Sequence, residues 1–302
     1  MSEAVLLVSH GSVDDLTDLP AFVTHVRRGH APPPELVAEL RRRYEAIGGS
    51  SPLNAINAEL ARKLALRLGV RVALANRLWR PFVRDVVAGL VADGARRLAV
   101  VPLAQHSGHV YEDDARRAAE GTAVELRCAP SWGRTPALCE AFAVRIAAAL
   151  APLPPGQTSV VLTAHSLPRS VVDAGDPYER EVRGACEDIQ GLVRGRLGRD
   201  VRALVAFQSQ GMAGPGGRPV EWLGPDLRAT IDLAAARGDR HLVFAPVGFL
   251  ADHVEILYDL DIEARAMTAE RGLSYTRAAS LNADDDLVEI LAGVAAPLLA
   301  HG

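Results

Sequence analysis

The chain reads as an α/β protein built from two similar Rossmann-like domains, each with a parallel sheet, and with a cleft between them. Three observations predict this. Short apolar runs alternate with longer stretches of helical period, the order expected of βαβ units around parallel strands. The 302 residues exceed the size at which a single core usually stops growing, so two domains are expected. The sequence is also duplicated: VLLVSHGS at 5–12 returns loosely as VVLTAHSLP at 160–168, and PLAQHSGHV at 102–110 returns as PVGFLADHV at 246–254. Each Pro of the second pair stands seven positions before a His-Val step. His10, His165, His109 and His253 therefore lie at or just beyond strand ends, where open α/β sheets bind their ligands.

Along the chain, strands are expected at VLLVS (5–9), VRVALA (70–75), RLAVVPL (97–103) and AVELRCA (123–129), then at SVVLTA (159–164), VRALVAF (201–207) and HLVFAPV (241–247). All are rich in β-branched and aliphatic residues. Between them the apolar spacing turns helical, and helices are expected over 35–47, 55–67, 81–94 and 135–150, then over 178–196, 225–237, 254–271 and 284–300. APLPPGQ at 151–157 carries three prolines and a glycine and reads as the linker. The domains are thus expected at 1–152 and 153–302, with the last helix free to pack back on the first. GMAGPGGRP at 211–219 is either a lid beside a site or a tolerant surface loop.

With 49% hydrophobic and 23% charged residues, the composition suits ordinary packed cores. A net charge of −4 argues against nucleic acid, whose phosphates demand a basic face. Local basic clusters do occur, at Arg27, Arg28 and His30 and at Arg41, Arg42 and Arg43. Such a patch can hold a small carboxylate-bearing ligand, although the second cluster reads better as a solvated helix face. Cys128, Cys139 and Cys186 are too few and too far apart for a disulfide framework or a Cys-x-x-Cys metal site. No secretory leader and no membrane span are legible, so a cytoplasmic protein is expected. The absence of G-x-G-x-x-G, P-loop and G-x-S-x-G patterns removes specific support for dinucleotide, ATP and serine-hydrolase chemistry.

The strongest local signal is DHVEILYDLDIEAR, which holds Asp252, Glu255, Asp259, Asp261 and Glu263 with no Lys or Arg before Arg265. On one helix Glu255, Asp259 and Glu263 fall at i, i+4 and i+8, on one face. Each like-charge pair at that spacing costs about 0.2–0.5 kcal/mol. Either arginines from elsewhere neutralise the stripe, or an accessory divalent cation does, held by oxygen ligands and exchangeable. His165 in TAHSLP is suited to take a proton near neutral pH or to offer a neutral nitrogen to a metal, and equally suited to a structural hydrogen bond. His106 and His109 form an i,i+3 pair without a third ligand. GGSSPLN at 48–54 offers backbone N–H groups and hydroxyls to an anion.

Several longer segments resemble the ferrochelatase family: THVRRGHAPPPE (24–35), RRYEAIGGSSPLN (42–54), AHSLPRSVVDAGDPYEREV (164–182), AFQSQG (206–211), EWLGPDL (221–227) and PVGFLADHVEILYDLDIE (246–263). The first two are most similar to the type that uses coproporphyrin III rather than protoporphyrin IX. The resemblance implies insertion of ferrous iron, as a substrate, into a porphyrin in haem biosynthesis. It places the catalytic pair on His165 and Glu255, with Asp259 and Glu263 extending the metal path. It places propionate contacts on Arg27, Arg28 and Ser51, porphyrin contact on Trp222, and a binding role on Gln208 in the Gln-Ser motif. No tightly bound cofactor is implied, and three cysteines without a C-terminal cluster do not suit an iron–sulfur centre.

Two departures stand out. His10 occupies a position after the first strand where such enzymes commonly carry a tyrosine, and Leu78 stands where some carry a histidine ahead of the Pro81-Phe82 helix start. VSHGS with PLAQHSGH resembles instead the small sirohydrochlorin chelatases, which load cobalt, nickel or iron and whose histidines would fall on His10 and on His106 or His109. His10 is accordingly a further candidate metal ligand. A non-catalytic tetrapyrrole carrier is the third reading.

Overall fold

The computed structural model describes residues 3–211 and 220–299. Its strands are β1 (Glu3–Ser9), β2 (Arg71–Asn76), β3 (Arg97–Pro102), β4 (Glu125–Cys128), β5 (Thr158–His165), β6 (Arg202–Gln208), β7 (His241–Ala245) and β8 (Ser274–Arg277). The helices are α1 (Leu19–Val26), α2 (Pro34–Ala46), α3 (Leu53–Leu68), α4 (Val83–Ala92), α5 (His109–Ala119), α6 (Pro136–Leu150), α7 (Arg169–Asp173), α8 (Tyr178–Leu197), α9 (Leu227–Ala236), α10 (Val254–Leu257), α11 (Arg265–Glu270) and α12 (Asp285–Leu299). Among the described residues no helix is long and apolar enough to cross a membrane.

The strands form two four-stranded sheets, ordered β2-β1-β3-β4 and β6-β5-β7-β8, with every pairing parallel. The same order appears twice, so the duplication in the sequence is a duplication of topology. β1 and β5 take the same interior place, and the strand that follows each pairs at its outer edge. Helices connect the consecutive parallel strands in each unit, as parallel pairing requires.

In the first unit, Ala4, Leu6 and Val8 of β1 and Leu98 and Val100 of β3 pack against Val83, Val87 and Leu90 of α4. These alternate residues share a sheet face because side chains alternate along a strand. Leu7 and Val101 are buried as well, as expected of a parallel sheet covered on both faces. Each such aliphatic side chain contributes about 1.5–3 kcal/mol on burial. In the second unit Val161, Leu242 and Phe244 pack with Ile231 of α9 and with Ile256 and Leu260.

The compact units divide the chain differently from an expected break at 152/153. The first comprises 1–132, 251–254 and 281–302, the second 133–250 and 255–280. Helix α6 belongs to the second unit because it lies along α8 and touches β5 and β7. The proline-rich linker is tied to that unit too, since Arg199 donates to the carbonyls of Leu150 and Leu153. Helix α12 packs on α3, β1 and β3 of the first unit.

Four elements were not expected from the sequence: α1, α5, the short α7 and the short edge strand β8. A fifth difference bears on function. The helix expected over 254–271 is broken into α10, a π-helical segment Asp259–Ala264 and α11. The glycine-rich segment 211–219 lies, from residue 212 on, outside the described residues.

Candidate active site

His165 is the last residue of β5, in register with Gln208 at the end of β6. The Ser166 N–H donates to the Gln208 carbonyl at 2.7 Å, and the Tyr178 hydroxyl donates to the His165 carbonyl at 2.9 Å. The backbone that presents the imidazole is thus fixed from both sides. Across from it, α10 carries Glu255, whose Oε2 lies 2.9 Å from His165 Nδ1. The side chains keep 38% and 32% of their surface exposed, so the pair is held by protein yet open to a ligand. Burial acts to lower the proton affinity of His165, but the adjacent Glu255 carboxylate, its hydrogen bond and the charge of Asp259 outweigh it and raise the imidazole above its ordinary 6.5.

The Gln-Ser pair at the end of β6 holds the facing segment. Gln208 is 2% exposed and its Nε2 donates to the Glu255 carbonyl at 2.7 Å. Its Oε1 is buried without a hydrogen-bond partner. Gln208, expected to have a binding role, is buried here with its amide on the Glu255 backbone. Ser209 takes φ +59, and its hydroxyl donates to Asp259 Oδ2 at 2.5 Å. Asp259 is 4% exposed.

The acidic run is not carried on one continuous α-helix. Between Tyr258 and Glu263 the backbone closes an i→i+5 bond of 2.9 Å, and a π-turn carries more residues per turn than an α-turn. The continuous α-helix on which the i, i+4, i+8 spacing was placed is therefore interrupted between Glu255 and Glu263. Asp261 is neutralised from β8, where Arg277 Nε donates to both of its oxygens at 2.9 and 3.0 Å and the Tyr275 hydroxyl adds a bond of 2.9 Å. Asp252 belongs to the first unit and bonds Asn282. Among the described residues no three of His, Cys, Asp and Glu gather into a group able to hold a metal ion, so the acidic segment by itself assembles no cation cage. The arrangement offers a histidine–carboxylate pair with a second, buried carboxylate behind it.

Trp222 also belongs to the second unit. Its backbone bridges to Pro168 in the His-Ser-Leu-Pro segment, and its ring lies against Gly211, where a Cβ would sit 2.8 Å from the indole. The remaining candidates are carried by the first unit. Arg27 and Arg28 are exposed where α1 ends, with Arg28 at φ +55. Ser51 is buried, and its Oγ accepts the Leu53 N–H at 3.4 Å at the start of α3. His10 is exposed just after β1. There Gly11 adopts φ +86 and lies so close to Asn76 that a Cβ would come within 2.7 Å of it, which accounts for the glycine in the VSHGS segment. His106 is buried, whereas His109 is exposed at the first turn of α5. Burial pushes the Cys128 and Cys139 thiols up to about 11 and Cys186 up to about 12, so none is a thiolate near neutral pH.

Tyr178, Ser209 and the anchoring role of Gln208 escaped the sequence reading. Their signal was present in the Asp-Pro-Tyr and Gln-Ser motifs, but a motif does not say which backbone group a side chain will meet.

A duplicated parallel sheet with an imidazole at the end of one strand, paired to a carboxylate on the helix that follows another, is the framework of a tetrapyrrole metal chelatase. The chain belongs to the ferrochelatase family: a family model described as ferrochelatase matches residues 2–297. A coproporphyrin III ferrochelatase of Mycobacterium ulcerans is 36% identical over 99% of this chain and 88% of its own. A ferrochelatase of Herpetosiphon aurantiacus is 34% identical over 95% and 96%, and a coproporphyrin III ferrochelatase of Bacillus subtilis 31% over 96% of each. Among solved structures, SirB from Bacillus subtilis with Fe3+ superposes with a TM-score of 0.61 at 15% identity, over 99% of this chain and 96% of that one. CbiX gives 0.58 at 17%, over 98% and 100%. At those identities the structural likeness speaks for the fold alone. The protein is a metal chelatase, a lyase of the haem-forming type.

Proposed function

We propose that this protein inserts ferrous iron into coproporphyrin III, with His165 and Glu255 as the catalytic pair. The observation that carries the reading is the 2.9 Å contact between His165 Nδ1 and Glu255 Oε2 at the end of β5. A porphyrin hides two N–H protons and its lone pairs in the ring plane. Metallation therefore needs a proton acceptor beside the ring and an ion already partly stripped of water. With Nδ1–H donating to Glu255, the other ring nitrogen of His165 is left with its lone pair, oriented to accept a pyrrole proton or to hold the incoming ion. Glu255 steadies the imidazolium that results. Two protons leave the ring as one dication enters; Asp259 and Glu263, on the segment behind Glu255, are the next carboxylates along which ions and protons pass.

Coproporphyrin III bears a propionate on every pyrrole, and guanidinium groups are the natural partners of such carboxylates. Arg27 and Arg28 are exposed and are assigned that role, together with Ser51, while Trp222 is assigned to the ring face. Relatives named for this substrate, more than 30% identical over nearly the whole chain, support coproporphyrin III over protoporphyrin IX. His10 is assigned as an additional metal contact.

The test is anaerobic metallation of coproporphyrin III, protoporphyrin IX and sirohydrochlorin, each with ferrous and with cobaltous ion. The expected result is the highest kcat/KM for coproporphyrin III with ferrous iron. Preference for protoporphyrin IX would remove the substrate assignment. Metallation of sirohydrochlorin alone, or tight binding of all three with none metallated, would remove the reading itself.

A further inference from the structure

The Asp-Pro-Tyr-Glu segment that opens α8 is a prominent motif with no part yet in the chemistry. Asp176 Oδ1 accepts the Tyr178 N–H at 2.9 Å, which fixes how the chain enters the helix. Tyr178 then reaches the His165 carbonyl. The next residue, Glu179, is 18% exposed and points to a different place. Its Oε2 accepts Arg169 Nη1 at 3.0 Å, and its Oε1 accepts Arg183 Nε at 2.9 Å.

Both arginines continue into the loop that bears Trp222. The Arg169 backbone N–H donates to the Glu221 carbonyl at 2.7 Å. Arg183 Nη2 donates to the Gly224 carbonyl at 3.1 Å, while its guanidinium lies 5.2 Å from the centroid of the Phe207 ring. The loop is further sewn by Leu223 N–H to the Leu167 carbonyl and by the Ser166 hydroxyl to the Leu223 carbonyl, both at 2.9 Å. Residue 221 is therefore held by the Arg169 backbone and residue 224 by the Arg183 guanidinium, with Trp222 between them, and the side chains of both arginines share the single carboxylate of Glu179. Without that carboxylate two guanidinium groups would face each other uncompensated, and charge-assisted bonds of this kind are the strong ones.

We propose that Glu179 is a positioning residue for Trp222: acting through Arg169 and Arg183, it holds the indole in the pose from which it meets the tetrapyrrole. The part of this that concerns substrate rests on the assignment of Trp222 to the ring face made above. If Glu179 served only the stability of α8, its loss would lower the unfolding midpoint and leave the indole and the porphyrin affinity where they are.

The full chain allows a direct test, because Trp79 and Trp132 are buried and Trp222 is half-buried. Acrylamide quenching of tryptophan emission thus reports chiefly on Trp222. Glu179→Gln keeps the length of the side chain and removes its charge; Glu179→Ala removes both, and should it fail to fold, Glu179→Gln carries the test. The expected result is stronger quenching, and a Kd and KM for coproporphyrin III raised about fivefold, which is ~1 kcal/mol, with kcat at saturating porphyrin within about twofold of the parent. Unchanged quenching in Glu179→Gln overturns the proposal whatever the kinetics. Trp222→Ala, titrated alongside, tests the underlying assignment separately: if it binds coproporphyrin III as tightly as the parent, Trp222 is no substrate contact and only the mechanical link from Glu179 to the loop survives.

Discussion

Gln208→Leu separates positioning from stability at the active site. The amide is buried, donates to the Glu255 carbonyl at 2.7 Å and leaves its own Oε1 without a partner. Leucine fills nearly the same space. Losing the donor leaves a buried carbonyl unpaired, at a cost of about 1–3 kcal/mol. Losing the unpartnered Oε1 relieves a desolvation penalty of similar order, ~1–3 kcal/mol on protein scales. The two nearly offset, so a net destabilisation of about 1 kcal/mol or less is expected. Turnover has no such compensation. Gln208 is the register partner of His165 and its amide holds the Glu255 backbone, so it sets the spacing of the pair proposed to be catalytic. A misplacement near 1 Å costs on the order of a hundredfold in rate, so kcat should fall about 10- to 100-fold. Urea unfolding and steady-state metallation, measured on one preparation, give both quantities. A kcat within about twofold of the parent, or a large loss of stability with no excess loss of rate, would refute the reasoning.

Other outcomes follow from the same geometry. Asp259→Asn should mainly raise the ferrous ion concentration needed for half-maximal rate, since it weakens a carboxylate behind the pair without touching the His165–Glu255 contact; an unchanged metal requirement contradicts the path assigned to it. His165 is raised above 6.5 by Glu255 and Asp259 and must be neutral to accept a proton, so the acid limb of the turnover profile should lie above 6.5 and move down in Glu255→Gln. The same shift contributes stability that is complete below about 6.5 and fades as pH rises through the folded-state value, which urea midpoints across that range would show. Gly248→Ala would place a Cβ 2.5 Å from the Ala164 Cβ, next to His165; overpacking of this kind costs about 1–3 kcal/mol, read as a lowered urea midpoint. His10→Tyr should alter the preference between ferrous and cobaltous ions, and unchanged preference would make His10 structural.

Much of the fold was legible because it rests on patterns that survive local detail. The seven aliphatic strands form near the places their composition indicated, and the duplicated segments carry matching positions in two identical sheet orders. What escaped is instructive. Strand β8 is four residues, SYTR, with no aliphatic run to mark it, and it forms because β7 offers an edge. Helix α5 begins on His109 and carries five charged residues among HVYEDDARRAA, too polar for an apolar-period argument to find. The π-turn at 259–264 has the composition of an α-helix, and the contacts made within it, Asp259 with Ser209 and Asp261 with Arg277, come from residues that an apolar period does not announce. The pairing of His165 with Glu255 was legible through its motifs. The groups that hold it were not, because a motif does not show that the Gln208 amide will meet the Glu255 carbonyl or the Tyr178 hydroxyl the His165 carbonyl.

The most direct measurement of the central claim is metallation by His165→Ala with coproporphyrin III and ferrous iron, made together with a porphyrin-binding titration of the same protein. If His165, paired to Glu255, is the proton acceptor and metal contact, the variant binds porphyrin with an affinity close to the parent's and forms essentially no metalloporphyrin. Metallation at a rate near the parent's would place the chemistry elsewhere in the molecule.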